Sequence, residues 1–551
     1  MKKLFTTMAA MVAATSLFAT THIILVRETK AQTITGFGAA SCDGAMKPYG
    51  EDTQPAKLLY DPQYKICLNI MRMEISPSFT GDNWGDYDWN GSLPSAKIVK
   101  KFGGIVFGTP WSPPADYKTN NSAQGGKVND KDDNDPQNKR GKLRTDCYVK
   151  FFPWLNSFLS WMKSKGVNVD AVSIQNEPDW WVNYSGCLYS PQELVTLVKN
   201  YANKLNREKF NGVRLISGES LGFTQNYTDP LMKDEECRKQ IDIVAGHLYG
   251  HAPLQYAKES AVLPLKYGKE VWMTEHSVSD GLKDRLPNWN EQLEFARELN
   301  ECMLAGCTGY IYWYMRAHWA FVGTGETKYG SGNTKNKLLP RAYVMSHFSR
   351  NVTGSTRLDT KATFTTSTNS ELECTAYIKG DSIIVMAINS SGSNHDLRLR
   401  FPYYVKNGTH IISTGNEKAN LYQESAITLE ESAKEAYVSM PAKSVNTYVL
   451  MIDRDTTDAI HDVKTSATEA EGITTYYDLQ KMSADFEAKF EELDKKYPDY
   501  KPTDEENTKL LEAQQKFEEA CQKKAETLVS DMLGDLGDGD DPGEPEDEAE
   551  E

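Results

Sequence analysis

Between residues 35 and 350 the chain repeatedly switches from short apolar strands to helical patterns, and this alternation limits the possible folds more than any other feature. The candidate strands are TGFGAA (35–40), NIMRMEIS (69–76), GGIVFGTP (103–110), VDAVSIQN (169–176), VRLISGES (213–220), IDIVAGHLYG (241–250), EVWMTEH (270–276) and GYIYWYM (309–315). Helical patterns lie between them: Phe151 to Lys165, Ser190 to Asn206 with Ser190-Pro191 as cap and first helical residue, and Trp289 to Leu304. Strands joined by helices run parallel, and eight of them in this length fit a closed (β/α)8 barrel better than an open sheet.

The flanking segments differ in kind. The first twenty residues, MKKLFTTMAAMVAATSLFAT, pair two lysines with a small-residue apolar run and read as a secretory leader. Cleavage falls near Ala19 or after Ala31, and the leader is set at 1–31, with the protein secreted and no membrane span after processing. The barrel is set at 32–354. From 355 to 454 alternating strands replace helices, with Lys379-Gly380-Asp381 as a hairpin turn, giving an appended antiparallel β-sandwich. Residues 455–534 carry apolar positions at helical spacing in two runs separated by YPDYKP, a helical hairpin; its stripes need self-association or a protein partner for burial. Residues 535–551 are an acidic disordered tail.

Net charge is −16, but residues 453–551 hold 31 acids against 11 bases, leaving 46 acids and 50 bases for residues 1–452. A nearly neutral body favours neither nucleic acid nor an anionic membrane surface as a ligand and suits an uncharged substrate. The nine cysteines contain no Cys-x-x-Cys pair, which removes support for zinc knuckles and dithiol redox chemistry.

Catalytic groups of such barrels project from the C-terminal strand ends. The residues that interrupt the apolar runs there are Trp111, Asn176, Glu177, His247, Tyr249, Glu275, Trp313 and Tyr314. Glu177 and Glu275 end the fourth and seventh strands, which face each other across the barrel mouth. Paired carboxylates there suit glycoside hydrolysis: one protonates the departing sugar oxygen while its partner acts on the anomeric side, with retention at a spacing of about 5 to 5.5 Å and inversion at a wider one. In VSIQNEPDWW, Pro178 ends the strand without needing an N–H partner, Asn176 can bind a sugar hydroxyl, and Trp180 and Trp181 offer flat faces for a sugar ring. His247, His251 and His276 lack ligand spacing, so no metal and no cofactor is expected.

Together QNEPDW (175–180), TPWSPP (109–114), GHLYG (246–250), WMTEHS (272–277), YWYMR (312–316) and the closing MPAKSVNTYVL resemble glycoside hydrolase family 30, especially its bacterial xylanase branch, over roughly residues 33 to 452. The resemblance implies a retaining mechanism with Glu177 as acid/base and Glu275 as nucleophile. It assigns Asn176 to the sugar 2-hydroxyl and places Trp111, Trp180, Tyr249, Trp313 and Tyr314 along the cleft, and His247, from its strand end, is counted with them as substrate-binding. Members that require a glucuronic acid branch share an Arg-Arg pair and a serine where this chain has Arg316-Ala317 and Ala252, so xylan cleavage without strict dependence on that branch is expected. The alternatives are the same chemistry on β-1,6-glucan or on a fucosyl or galactosyl polymer, and a non-catalytic glycan-binding surface protein.

Overall fold

The computed structural model describes residues 21–41, 53–77, 89–126, 140–250, 253–278, 285–325, 334–364, 371–429 and 433–454, with residues 519 and 523. The leader up to residue 20, most of the helical hairpin, the acidic tail, the middle of the polar insert after the third predicted strand, His251 and Ala252 lie outside them. Contacts divide the chain into two units. One holds the barrel and most of the side sheet; the other comprises Tyr403–Lys406, Leu429–Lys434 and the chain from Met451. Within the second, Asp453 N–H donates to the Tyr404 carbonyl at 2.8 Å.

All eight expected strands form, and they close: β2 (Gly36–Ala40), β3 (Ile70–Ile75), β4 (Ile105–Pro110), β5 (Ala171–Ser173), β6 (Arg214–Ile216), β7 (Ile243–His247), β8 (Glu270–Glu275) and β9 (Gly309–Tyr312) pair in sequence, and β2 pairs with β9. The strands are shorter than their apolar runs; in six of them, all but Gly36–Ala40 and Ile105–Pro110, the last residues of the run leave the ladder at the rim. The helical expectations hold with small shifts. The first observed helix of the three spans Tyr148–Ser164 and the second Pro191–Tyr201, whose start is a capping box in which Glu193 N–H donates to Ser190 Oγ at 3.2 Å and Ser190 N–H donates to Glu193 Oε2 at 2.6 Å. The third spans Trp289–Ala305, is capped by Asn288 with Glu291, and stops at Gly306, whose φ of 101° only glycine adopts without strain.

The barrel interior is packed side chain on side chain. Ile70, Phe107, Ala171, Ile216, Ile243, Ala245, Trp272 and Ile311 are fully buried in one cluster. These positions alternate along their strands, so inward groups two residues further on stand at the next level up. That step takes Ile70 to Arg72, Phe107 to Thr109, Ala245 to His247 and Ile311 to Trp313. The lower layer is filled by one large ring, Trp272, which Phe107 meets edge-on at 5.6 Å between centroids. Gly309 makes room for it: a Cβ there would sit 2.9 Å from two atoms of the indole.

The side sheet differs from expectation at its edge. It runs in the order β1 (Thr21–Thr33), β10 (Thr356–Ala362), β11 (Leu372–Lys379), β12 (Ser382–Asn389), β16 (Ser444–Ile452), β13 (His395–Ser413) and β14 (Gln423–Ile427), with β15 (Ala433–Met440) paired to β13. Strand β1 pairs antiparallel with β10 and parallel with β13. Residues 21–31, which the sequence reading gave to the leader, are therefore part of the sheet, with Ile24 and Val26 buried. The apolar THIILV that blurred the end of the leader is a strand with one buried face. Of the two cleavage positions, only the one near Ala19 leaves this strand whole.

Two outcomes are expected. Gly309→Ala forces the buried Trp272 to shift and should lower stability by about 1–3 kcal/mol, read as a lower midpoint in urea or thermal unfolding; an unchanged midpoint would mean that the barrel floor is loosely packed. A chain begun at residue 32 exposes the edges of β10 and β13 and should melt well below one begun at residue 20.

Candidate active site

The two glutamates reach the rim by breaking the inward alternation of their strands. Glu177 follows β5 in a left-handed conformation, φ 44°, with its N–H on the Glu219 carbonyl at 2.8 Å. Only a small share of non-glycine residues adopt that conformation, and here hydrogen bonds on both sides hold it: Asn176 N–H donates to the Pro110 carbonyl at 2.9 Å, and Trp180 N–H to the Glu177 carbonyl at 3.0 Å. In β8 the register against β7 slips by one residue between Gly246/Met273 and His247/Glu275. Such an irregularity re-aims side chains. Glu275 therefore faces the same cavity as Glu177, and one carboxylate oxygen of each, with a ring nitrogen of His247, lies within 4.8 Å of the others.

Arg72, fully buried in the middle of β3, joins the parts. Its guanidinium donates to Glu275 Oε2, and to Asn176 Oδ1 at 2.7 Å. Its Nε lies 3.4 Å from Glu219 Oε1 and 3.4 Å from Thr109 Oγ1. The Trp111 ring covers it at 4.6 Å, and the Trp313 ring stands 5.9 Å away. Those two indoles are 5.9 Å apart and tilted by 31°, a paired aromatic wall beside the carboxylates. The peptide between Trp313 and Tyr314 is cis. Tyr249 donates its hydroxyl to Glu275 Oε1 at 3.1 Å.

His247 sits between three acids: 3.0 Å from Glu177, 3.8 Å from Glu219 and 3.9 Å from Glu275. Burial works against its charge, but Glu275, Glu177 and Glu219 outweigh it and raise the imidazole to about 9. Burial likewise opposes the ionised form of Glu219, yet Arg72 and His247 hold that carboxyl down to about 2. Glu177 moves the other way: burial dominates, the Glu275 charge adds to it, and the carboxyl is raised despite the hydrogen bond from His247. The three-donor set of Glu177, His247 and Glu275 has the reach to hold a cation, but the Arg72 guanidinium and the His247 imidazolium already supply the positive charge that a metal would bring.

Of the residues singled out from sequence, Trp111, Asn176, Glu177, His247, Tyr249, Glu275 and Trp313 meet in one contact network. Two need correction. His247 has no exposed surface, so it acts on Glu177 and does not touch a sugar. Tyr314 is buried between Trp313, at 4.8 Å, and Trp319, at 6.0 Å, and backs the wall from behind. Trp180 is half exposed beside the site, and Trp181 is covered by the Arg140 guanidinium at 4.6 Å. Three residues escaped the sequence reading: Arg72, Glu219 and Tyr184. The first two left a signal, a charge inside an otherwise apolar barrel strand or at its immediate end. Tyr184, whose phenol is pushed up by burial and by the charges of Glu177 and Glu275, sits in a loop with no such pattern.

With that geometry in place, comparison with known proteins is informative. Residues 146–318 match the model of a glycosyl hydrolase catalytic core, a span that includes both glutamates. The glucuronoxylanase XynC of Bacillus subtilis (strain 168) is 26% identical over 401 residues, 70% of this chain and 82% of its own. The xylanase Xyn30A of Clostridium acetobutylicum, a glycoside hydrolase of family 30 subfamily 8, superposes with a TM-score of 0.61 at 28% identity, covering 78% of this chain and 99% of its own. The endo-1,6-beta-D-glucanase neg1 of Aspergillus fumigatus is 28% identical over a shorter 198 residues, 31% of this chain and 40% of its own. The chain is a glycoside hydrolase. Its resemblance to family 30, and within it to the bacterial xylanase branch, holds in both sequence and fold.

The electrostatics carry a pH prediction. His247 lowers the raised Glu177 carboxyl while burial lifts it, so His247→Asn removes the opposing influence and leaves the burial. The alkaline limb of kcat/KM should then move to higher pH; a limb that stays put or moves down would mean that Glu177 does not set it.

Proposed function

We propose that this protein is a retaining hydrolase of β-1,4-xylan, acting without strict dependence on glucuronic acid branches. The observation that carries the mechanism is the carboxylate spacing. One oxygen of Glu177 and one of Glu275 lie within 4.8 Å, which favours the roughly 5–5.5 Å separation of a retaining pair over the wider gap of an inverting one.

Charge balance favours the division of roles that the family resemblance implies. With Arg72 and His247 cationic and Glu219 anionic, the buried cluster is neutral when one of the two remaining carboxyls keeps its proton, and burial raises that of Glu177. Glu177 is thus the acid. Its proton goes to the departing glycosidic oxygen as Glu275 attacks the anomeric carbon, forming one C–O bond as the other breaks. Glu177, now ionised, takes a proton from water, and the water oxygen displaces Glu275 with a second inversion. Arg72 and Tyr249 hold the nucleophile in place, and Asn176, oriented by Arg72, presents its amide nitrogen to the sugar hydroxyl beside the reacting carbon. Trp111 and Trp313 supply the wall on which the sugar packs.

Substrate choice rests on two of the named relatives, called a glucuronoxylanase and a xylanase, and on what this chain lacks. The position of the second arginine of the acid-binding pair is Ala317, which is buried, and Arg316 beside it is also buried, so neither reaches out to a carboxylate on a branch. The match to an endo-1,6-beta-D-glucanase makes β-1,6-glucan the polymer to test alongside. Secretion fits an enzyme acting on a polymer too large to enter a cell, and among the described residues no helix is long and apolar enough to cross a membrane. Residues 455–551 are assigned to attachment or assembly, so a chain ending at residue 455 should keep its turnover.

Mass analysis of the oligosaccharides released from linear xylan, arabinoxylan, glucuronoxylan and β-1,6-glucan tests the substrate. Cleavage of all three xylans is expected, and a protein that leaves them intact but cuts the glucan is a β-1,6-glucanase. Proton NMR of the first product should detect the β-anomer before mutarotation. Glu275→Gln should abolish turnover while oligosaccharide binding persists.

A further inference from the structure

Behind Glu275, a second chain of contacts runs away from Arg72. The Tyr249 hydroxyl that donates to Glu275 also bonds Ser277, and the Tyr249 ring lies against the His276 ring at 5.1 Å. His276 directly follows the nucleophile. Its Nδ1 is 2.8 Å from Glu298 Oε2, and the same carboxylate accepts the Tyr310 hydroxyl at 2.5 Å. The His276 carbonyl, in turn, accepts the Trp313 N–H at 2.9 Å. Glu298 comes from the helix Trp289–Ala305 and Tyr310 from β9, so the two elements that follow β8 both hold the residue between nucleophile and tryptophan wall.

Glu298 is a nearly buried carboxylate, 12% exposed, outside the catalytic cluster. Burial raises its carboxyl, but His276 and Tyr310 more than compensate and keep it below the ordinary carboxylate range. An ionised acid held there is costly unless its bonds are well made. The bonds it makes fix His276, which touches the site in two ways, through its ring to Tyr249 and through its backbone to Trp313.

We propose that Glu298 is a positioning residue for catalysis: by locking His276 it holds the Tyr249 hydroxyl on the nucleophile and sets the backbone that carries Trp313. The effect passes through residues behind the site, so Glu298 itself meets no substrate. The proposal rests on Glu275 being the nucleophile. Arg72, His247, Glu177 and Tyr249 face that carboxylate; loss of the Tyr249 hydroxyl bond removes one of its supports.

The test uses the full chain on whichever glycan the wild type cleaves, with Glu275→Gln as the control for the underlying reading. Glu298→Gln should fold, lower kcat by roughly tenfold or more through misplacement, and move the acid limb of kcat/KM toward neutral. Tyr249→Phe should move the limb the same way, and the double variant should lose less than the product of the two single losses. Should Glu298→Gln not fold, Tyr310→Phe removes one of its two bonds and should give a smaller loss with the same limb shift. A folded Glu298→Gln, or a Tyr310→Phe used in its place, with wild-type kcat and pH profile overturns the proposal, as do losses that multiply. If Glu275→Gln itself retains turnover, the nucleophile assignment fails instead.

Discussion

A single guanidinium, that of Arg72, decides how this active site can exist. It lies with no exposed surface inside a parallel barrel, where an unpaired charge would be prohibitive. It is tolerated because every side of it is answered: Glu275 and Glu219 by charge, Asn176 and Thr109 by hydrogen bonding, Trp111 by its ring face. Removing one partner of such a buried pair generally costs about 3–5 kcal/mol, since the other is left uncompensated. The acids, the amide and the tryptophan are thus bound to one cation before any sugar arrives, and the site is organised in advance.

The protonation states follow from the same point. Arg72 and His247 bring two positive charges into a space that holds three carboxyls, and neutrality is reached when one carboxyl keeps its proton. Glu219 lies against both cations, and Glu275 takes a direct bond from Arg72, whereas Glu177 has only the imidazole. Burial therefore falls hardest on Glu177. Two carboxyls of the same residue type are thus distinguished by their surroundings alone.

Much of the architecture was legible from the chain, for a definite reason. Strands buried on both faces must be apolar throughout, so each barrel strand announced itself, and the residues that ended each run marked the rim. Glu177 after Ile174-Gln175-Asn176 and Glu275 after Val271 to Thr274 were found in this way. Arg72 and Glu219 were passed over because attention to run ends ignores a charge within the run, although a charge there has no place to go but the cavity. His247 was misjudged since strand position fixes the direction of a side chain and not its depth. The strand Thr21–Thr33 was hidden by its likeness to the end of a leader: an apolar stretch before a small residue has the same composition whether a peptidase or a sheet receives it.

What the amino-acid sequence determined by itself was local and periodic: eight apolar runs, their helical connectors, the cap at Ser190, and two glutamates at run ends, since propensity and alternation act over a few residues. Only the closed barrel decided that residues 98 positions apart share one cavity. The left-handed turn at Glu177 and the register slip at Glu275, neither of which leaves a compositional trace, aim both carboxylates inward. Their distance and the imidazole of His247 that both face depend on contacts across the barrel, and no pattern confined to one strand encodes a contact with the strand opposite.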